Sequence, residues 1–187
     1  MPQQRVFSTF LENGNGQSTT CKQFSVCLYV CEHRENGRAA IMGLRKMKFI
    51  IDSDLDNIPL IGISINKLCS LIPFSERMAL QVELCVVEAV TNCIKHAYKY
   101  DSAQKVGVGF TLSPEELVLD IYDTGIPLEM EMLDRADFKS LEVDPEDLEN
   151  IAEGGRGLPI IKEVMDSVVY ESEKGMNCLT MKKKLAS

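Results

Sequence analysis

No apolar run in this 187-residue chain is long enough to cross a bilayer. The longest, FSVCLYVC at 24–31 and IPLIGISI at 58–65, fall far short of the ~20 residues a spanning helix needs. The N-terminus also lacks a basic stretch feeding an apolar one, so neither a secretory signal nor a membrane partner is expected. Basic residues are outnumbered 20 to 28, leaving a net charge of −8. Nucleic-acid binding rests mainly on neutralising phosphates, so a direct nucleic-acid partner is not expected either. The seven cysteines are an odd set without framework spacing. Cys85 and Cys93, on one predicted helix, would lie roughly 12 Å apart along its axis, too far to bridge. Reduced thiols and a cytoplasmic location are the simpler reading. Cys21, Cys27, Cys31 and His33 follow no common zinc spacing, and no second ligand pair comes after them. The chain has no internal repeat and no low-complexity tract.

What remains is an ordinary globular balance, 45% hydrophobic and 26% charged, enough to bury a core without staples. Residues 1–46 differ from the rest. ENGNGQSTT and CEHRENGR are polar breaks around the apolar stretch at 24–31, so 1–46 is expected to be a poorly ordered or misassigned N-terminal extension. From Met47 the pattern is regular: a strand MKFIID, then a helix across 53–72 with Pro59 in its first turn and Pro73 past its end. Ser75 is a good N-cap for a long helix over 76–98. Two strands, KVGVGFTL and LVLDIYD, flank a Ser113-Pro114-Glu115 turn. An acidic stretch, 129–153, leads to GGRG and the helix LPIIKEVMDSV. The strands SVVYES and NCLTMKKKL close the chain around a Lys174-Gly175 turn. The order β-α-α-β-β-α-β-β predicts an α/β (α+β) two-layer sandwich, with helices on one face of a largely antiparallel sheet.

Asp123-Thr124-Gly125 follows an apolar strand, a placement that two unrelated chemistries share. In aspartic proteases two such aspartates share a proton. That reading fails on the flanks, because Ile126-Pro127 follows where Ala or Ser is usual, and no second Asp-Thr-Gly exists. It also leaves the long helix unexplained. There, Ala79, Val82, Val86, Val90, Cys93 and Ala97 fall on one side and Glu88, Asn92, Lys95, His96 and Lys99 on the other. Glu88 and Asn92 are one turn apart, with their heads on one patch of surface. Taken alone, such a stripe is equally a solvated face.

EAVTNCIKHAY (88–98) closely resembles the N-box of the GHKL superfamily, the ATPases of histidine kinases, gyrase, heat-shock chaperones and MutL. DTGIP falls where that superfamily has its first glycine box, and EGGRGLPIIKEVMD where it has its second. The likeness covers 47–185 and is closest to the anti-sigma-factor serine-protein kinases, including the opening MKFIIDSDLDNIPLI and the closing LTMKKKL. No phosphoacceptor-histidine dimerisation helix is visible, which disfavours a sensor kinase. Pro127 stands in place of the second glycine of D-x-G-x-G, a change that branch tolerates.

The resemblance implies a Bergerat-type ATP-binding fold over 47–187 and a role for each matched residue. Asp123 accepts a hydrogen bond from the adenine amino group, and Gly125 lets the purine approach the backbone. Gly154, Gly155 and Gly157 present backbone N–H groups to polyphosphate at a helix start, where Arg156 could add charge or face solvent. Asn92 is a Mg2+ ligand, Glu88 the general base toward a serine or threonine hydroxyl, and 129–153 the ATP lid. His96 is expected to stay neutral, in a packing or hydrogen-bonding role. The implied function is partner switching. A homodimer holds a sigma factor and, with ATP and Mg2+, phosphorylates a small STAS-type anti-sigma-factor antagonist. Two rivals remain: a module that holds nucleotide without using it, and a switch kinase that binds no sigma factor.

Overall fold

The computed structural model describes residues 6–7, 25–30, 45–129, 131, 133 and 156–185. The strands are β1 (Val6–Phe7), β2 (Ser25–Val30), β3 (Arg45–Asp52), β4 (Lys105–Leu112), β5 (Glu116–Asp123), β6 (Ser167–Glu173) and β7 (Met176–Lys184). They form one sheet in the order β1-β2-β3-β4-β5-β7-β6, every neighbouring pair antiparallel. Three α-helices are described: α1 (Ile58–Cys69), α2 (Glu76–Asn92) and α3 (Gly157–Val164). The expected two-layer α+β architecture is therefore the observed one. Ser25–Val30, inside the 1–46 extension, adds a strand alongside β3 that was read from the sequence only as an apolar stretch.

Period-2 patterning sets which way each strand residue faces. In β5, Leu117, Leu119, Ile121 and Asp123 are buried while their neighbours are half-buried. The register continues this row: Phe110 and Met181 flank Leu119, and Val108 and Leu179 flank Ile121. Against this face pack Ile61 and Ile65 of α1, Val82, Val86 and Val90 of α2, and Ile161 of α3, all fully buried. Burying each such side chain contributes roughly 1.5–3 kcal/mol.

Local signals act as expected at the element ends. Ser75 Oγ accepts from Met78 N–H at 3.1 Å and starts α2. Lys174 and Gly175 adopt φ of 53° and 79°, the two left-handed residues of a tight hairpin joining β6 to β7. One expectation needs correction. The helix predicted over 76–98 is α-helical only to Asn92, and Cys93–Ala97 is a π-turn closed by Tyr98 N–H donating to the Cys93 carbonyl at 2.9 Å. The wider turn shifts the helical phase, so Ala97 is half-buried where the simple periodicity put it in the core. Among the described residues no helix is long and apolar enough to cross a membrane.

Candidate nucleotide site

β5 ends on Asp123, whose inward parity carries a carboxylate onto the core face, where it is 8% exposed. The opposing residue on β7 is Asn177, 1% exposed. Asn177 Nδ2 donates to Asp123 Oδ1 at 2.7 Å and to the Gly125 carbonyl at 3.1 Å. Its Oδ1 accepts from Ser172 Oγ at 2.8 Å, so the buried amide is satisfied at both ends. Gly125 N–H adds a second bond to Asp123 Oδ1 at 2.9 Å. Among the described residues the other oxygen, Oδ2, receives only the Cys93 thiol at 3.5 Å. Burial, and next the Asp123 carboxylate, push that thiol well above its ordinary pKa, so it stays protonated as a weak donor. One oxygen of Asp123 is thus committed to holding the carboxylate in place, and the other keeps acceptor capacity.

Asn177, Cys93 and Tyr98 were given no such role by the sequence. Asn177→Leu is expected to lower stability by about 1–3 kcal/mol, because it removes one bond to buried Asp123 and strands the Gly125 carbonyl. An unchanged urea midpoint in that variant would show that the amide does not hold the loop.

Past the π-turn the chain reverses through Lys99 and Tyr100, both left-handed at φ 52° and 65°. The turn meets the Asp-Thr-Gly loop edge to edge. Ile126 N–H donates to the Ala97 carbonyl at 3.0 Å. The buried Tyr98 hydroxyl accepts from Thr124 N–H at 2.8 Å and donates to the Lys105 carbonyl at 2.8 Å. A Cβ at Gly125 would lie 2.4 Å from the Ala97 carbonyl oxygen and 2.6 Å from its carbon. Besides the purine approach that the family likeness implies for this glycine, the protein's own backbone demands it. A cavity of about 380 Å³ opens beside the loop, bordered by Tyr98, Asp101, Gln104, Thr124 and Ile126.

Glu88 and Asn92 sit half-buried one turn apart on α2, and among the described residues neither side chain has a hydrogen-bond partner. Glu88 lies against the first residue of α3: a Cβ at Gly157 would be 2.6 Å from Glu88 Oε2. Arg156 precedes the helix, exposed and without a side-chain capping bond. Gly154 and Gly155 lie outside the described residues, as does most of the 129–153 segment. The described start of that segment is anchored, since Leu128 N–H donates to Tyr170 Oη at 2.8 Å and Lys162 Nζ to the Leu133 carbonyl at 2.5 Å. His96 is exposed with no hydrogen bond among the described residues, so the packing role expected of it finds no partner. The structure therefore brings Asp123 to Gly125 and Glu88 to Gly157. Asn92 lies one turn from Glu88 on α2 and next in sequence to Cys93, whose thiol meets Asp123.

No cluster of three or more His, Cys, Asp or Glu able to hold a metal occurs among the described residues. Mg2+ beside phosphates commonly takes only one or two ligands from the protein and the rest from water and the anion. The free Asn92 amide oxygen suits that partial role.

A family model described as the histidine kinase-like ATPase domain matches residues 51–183. Serine-protein kinase RsbW of Listeria monocytogenes is 27% identical over 124 residues, covering 64% of this chain and 75% of that protein. The protein of the same name from Oceanobacillus iheyensis is 27% identical over 109 residues, 58% of this chain and 68% of its own. A chain from the crystal structure of the SiaB-SiaC complex of Pseudomonas aeruginosa covers 70% of this chain and 84% of its own, at 15% identity. Its TM-score is 0.44, too loose a likeness to bear on function.

Proposed function

Because the chain belongs to the family of histidine kinase-like ATPase domains, we propose that it is a serine/threonine-protein kinase working as a partner switch. It transfers the γ-phosphoryl group of ATP to a small STAS-type anti-sigma-factor antagonist. It holds a sigma factor once the phosphorylated antagonist has left. The observation that carries the kinase reading is Glu88: a half-buried carboxylate without a hydrogen-bond partner among the described residues, held at the opening of α3, one turn from Asn92. Relatives named serine-protein kinase support it.

Each residue has a task that its surroundings allow. Asp123 Oδ2 accepts from the adenine amino group while Oδ1 stays occupied by Asn177 and Gly125. Backbone N–H groups at 154–157 receive the phosphates, with Arg156 as a nearby cation. Asn92 offers its amide oxygen to Mg2+, which when bound would neutralise charge on the phosphates. Glu88 takes the proton from the acceptor hydroxyl as that oxygen bonds to the γ-phosphorus and the bond to ADP breaks. The unit that does this is 47–187, and the 1–46 extension lengthens its sheet through β2. The protein works in the cytoplasm as a homodimer, touching neither nucleic acid nor membrane.

Mixing the full chain with Mg-ATP and the cognate antagonist should add one phosphate to a serine or threonine of the antagonist, read by intact mass. Capture of the antagonist without any phosphate on it would overturn the kinase reading and leave a binding module.

A further inference from the structure

Gly157 is the first residue of α3, and its backbone does not lie in the left-handed region that favours glycine. Alanine is the better helix former at such a position. Local conformation therefore gives no reason for a glycine there. Its surroundings do. The three heavy atoms nearest to an added Cβ all belong to Glu88: Oε2 at 2.6 Å, Cβ at 3.3 Å and Cδ at 3.4 Å. A 2.6 Å approach cannot persist, so the carboxylate would have to rotate out of the space it fills.

We propose that Gly157 is a positioning residue for Glu88, its missing Cβ being the slot that seats the carboxylate at the opening of α3. This deepens the kinase reading and rests on it. The role differs from backbone donation to phosphate, which needs only an N–H group and no missing Cβ. Glu88 has three rotatable bonds and, among the described residues, no hydrogen bond to fix them. The slot restricts those rotations by shape. It confines the carboxylate near the phosphate-binding backbone without using up its acceptor capacity, as a general base requires.

The test uses Gly157→Ala in the full chain, alone and together with Glu88→Ala. With the single change, kcat for phosphoryl transfer should fall about 10²-fold, the cost of a base displaced by about 1 Å. KM for ATP should change little. A rise in KM with kcat retained would instead mean that Gly157 serves the phosphates, and would overturn the proposal. Thermal unfolding supplies the second arm. Gly157→Ala should lower Tm when Glu88 is present, and lower it less in the Glu88→Ala background, where Oε2 and Cδ are gone and only the Cβ contact at 3.3 Å remains. An equal drop in both backgrounds would show that the methyl group strikes something other than the carboxylate. Should the unaltered protein transfer no phosphate, the kinase reading falls, yet the Tm pair still decides whether the slot holds Glu88.

Discussion

Glu88→Ala is expected to slow phosphoryl transfer to the antagonist by roughly 10²–10⁴-fold, the usual contribution of a positioned general base. Two nearby carboxylates are placed or occupied otherwise. Glu83 lies more than one turn earlier on α2, where its side chain packs against Gly62 of α1. Asp123 is buried, with one oxygen filled by Asn177 Nδ2 and Gly125 N–H. The substitution removes a half-buried carboxylate that has no hydrogen-bond partner among the described residues, so no buried group is stranded and the fold should hold. Single-turnover transfer with ATP saturating isolates this step from binding. A rate equal to that of the unaltered protein would remove Glu88 from the chemistry.

Gly125→Ala should do more damage, and of a different kind. The new methyl group would meet backbone atoms of Ala97, which no rotamer change can move aside. The loop cannot slide away either. It is tied by Ile126 N–H to the Ala97 carbonyl, by its own N–H to Asp123 and by its carbonyl to Asn177. A forced shift costs about 1–3 kcal/mol, and each hydrogen bond broken adds about 0.5–1.5 kcal/mol. ATP binding should disappear with the geometry of Asp123. Nucleotide at 100 times its dissociation constant stabilises a protein by about 2.7 kcal/mol, a rise in Tm of very roughly 5–10 °C at this chain length. The unaltered protein should show that rise and Gly125→Ala should not. An undiminished rise in the variant would mean that the loop accepts a side chain and that the contact with Ala97 is dispensable.

Much of this site was legible in the chain because two periodicities place side chains by arithmetic. Alternation along LVLDIYD put Leu117, Leu119 and Ile121 inward, and the same parity made Asp123 a buried carboxylate. The 3.6-residue period put Val82, Val86 and Val90 in the core and left Glu88 and Asn92 off it. What escaped depends on contacts between distant segments. Asn177 faces Asp123 only through a register spanning 54 residues, and no local pattern announces that pairing. The π-turn escaped because Cys93–Ala97 carries no glycine or proline to mark it, so the helical pattern reads straight through. The reason for Gly125 was hidden with it, since the obstructing atom belongs to that turn.

The strand order also has a consequence for how the protein comes to be active. β7 is the last strand in sequence, yet it sits between β5 and β6. Until residues 176–184 have been synthesised and have paired, β5 is an open edge and Asp123 lacks its amide clamp. A chain clipped before β7 can therefore carry all three sequence motifs and still leave the Asp123 carboxylate without the Asn177 bond that holds it.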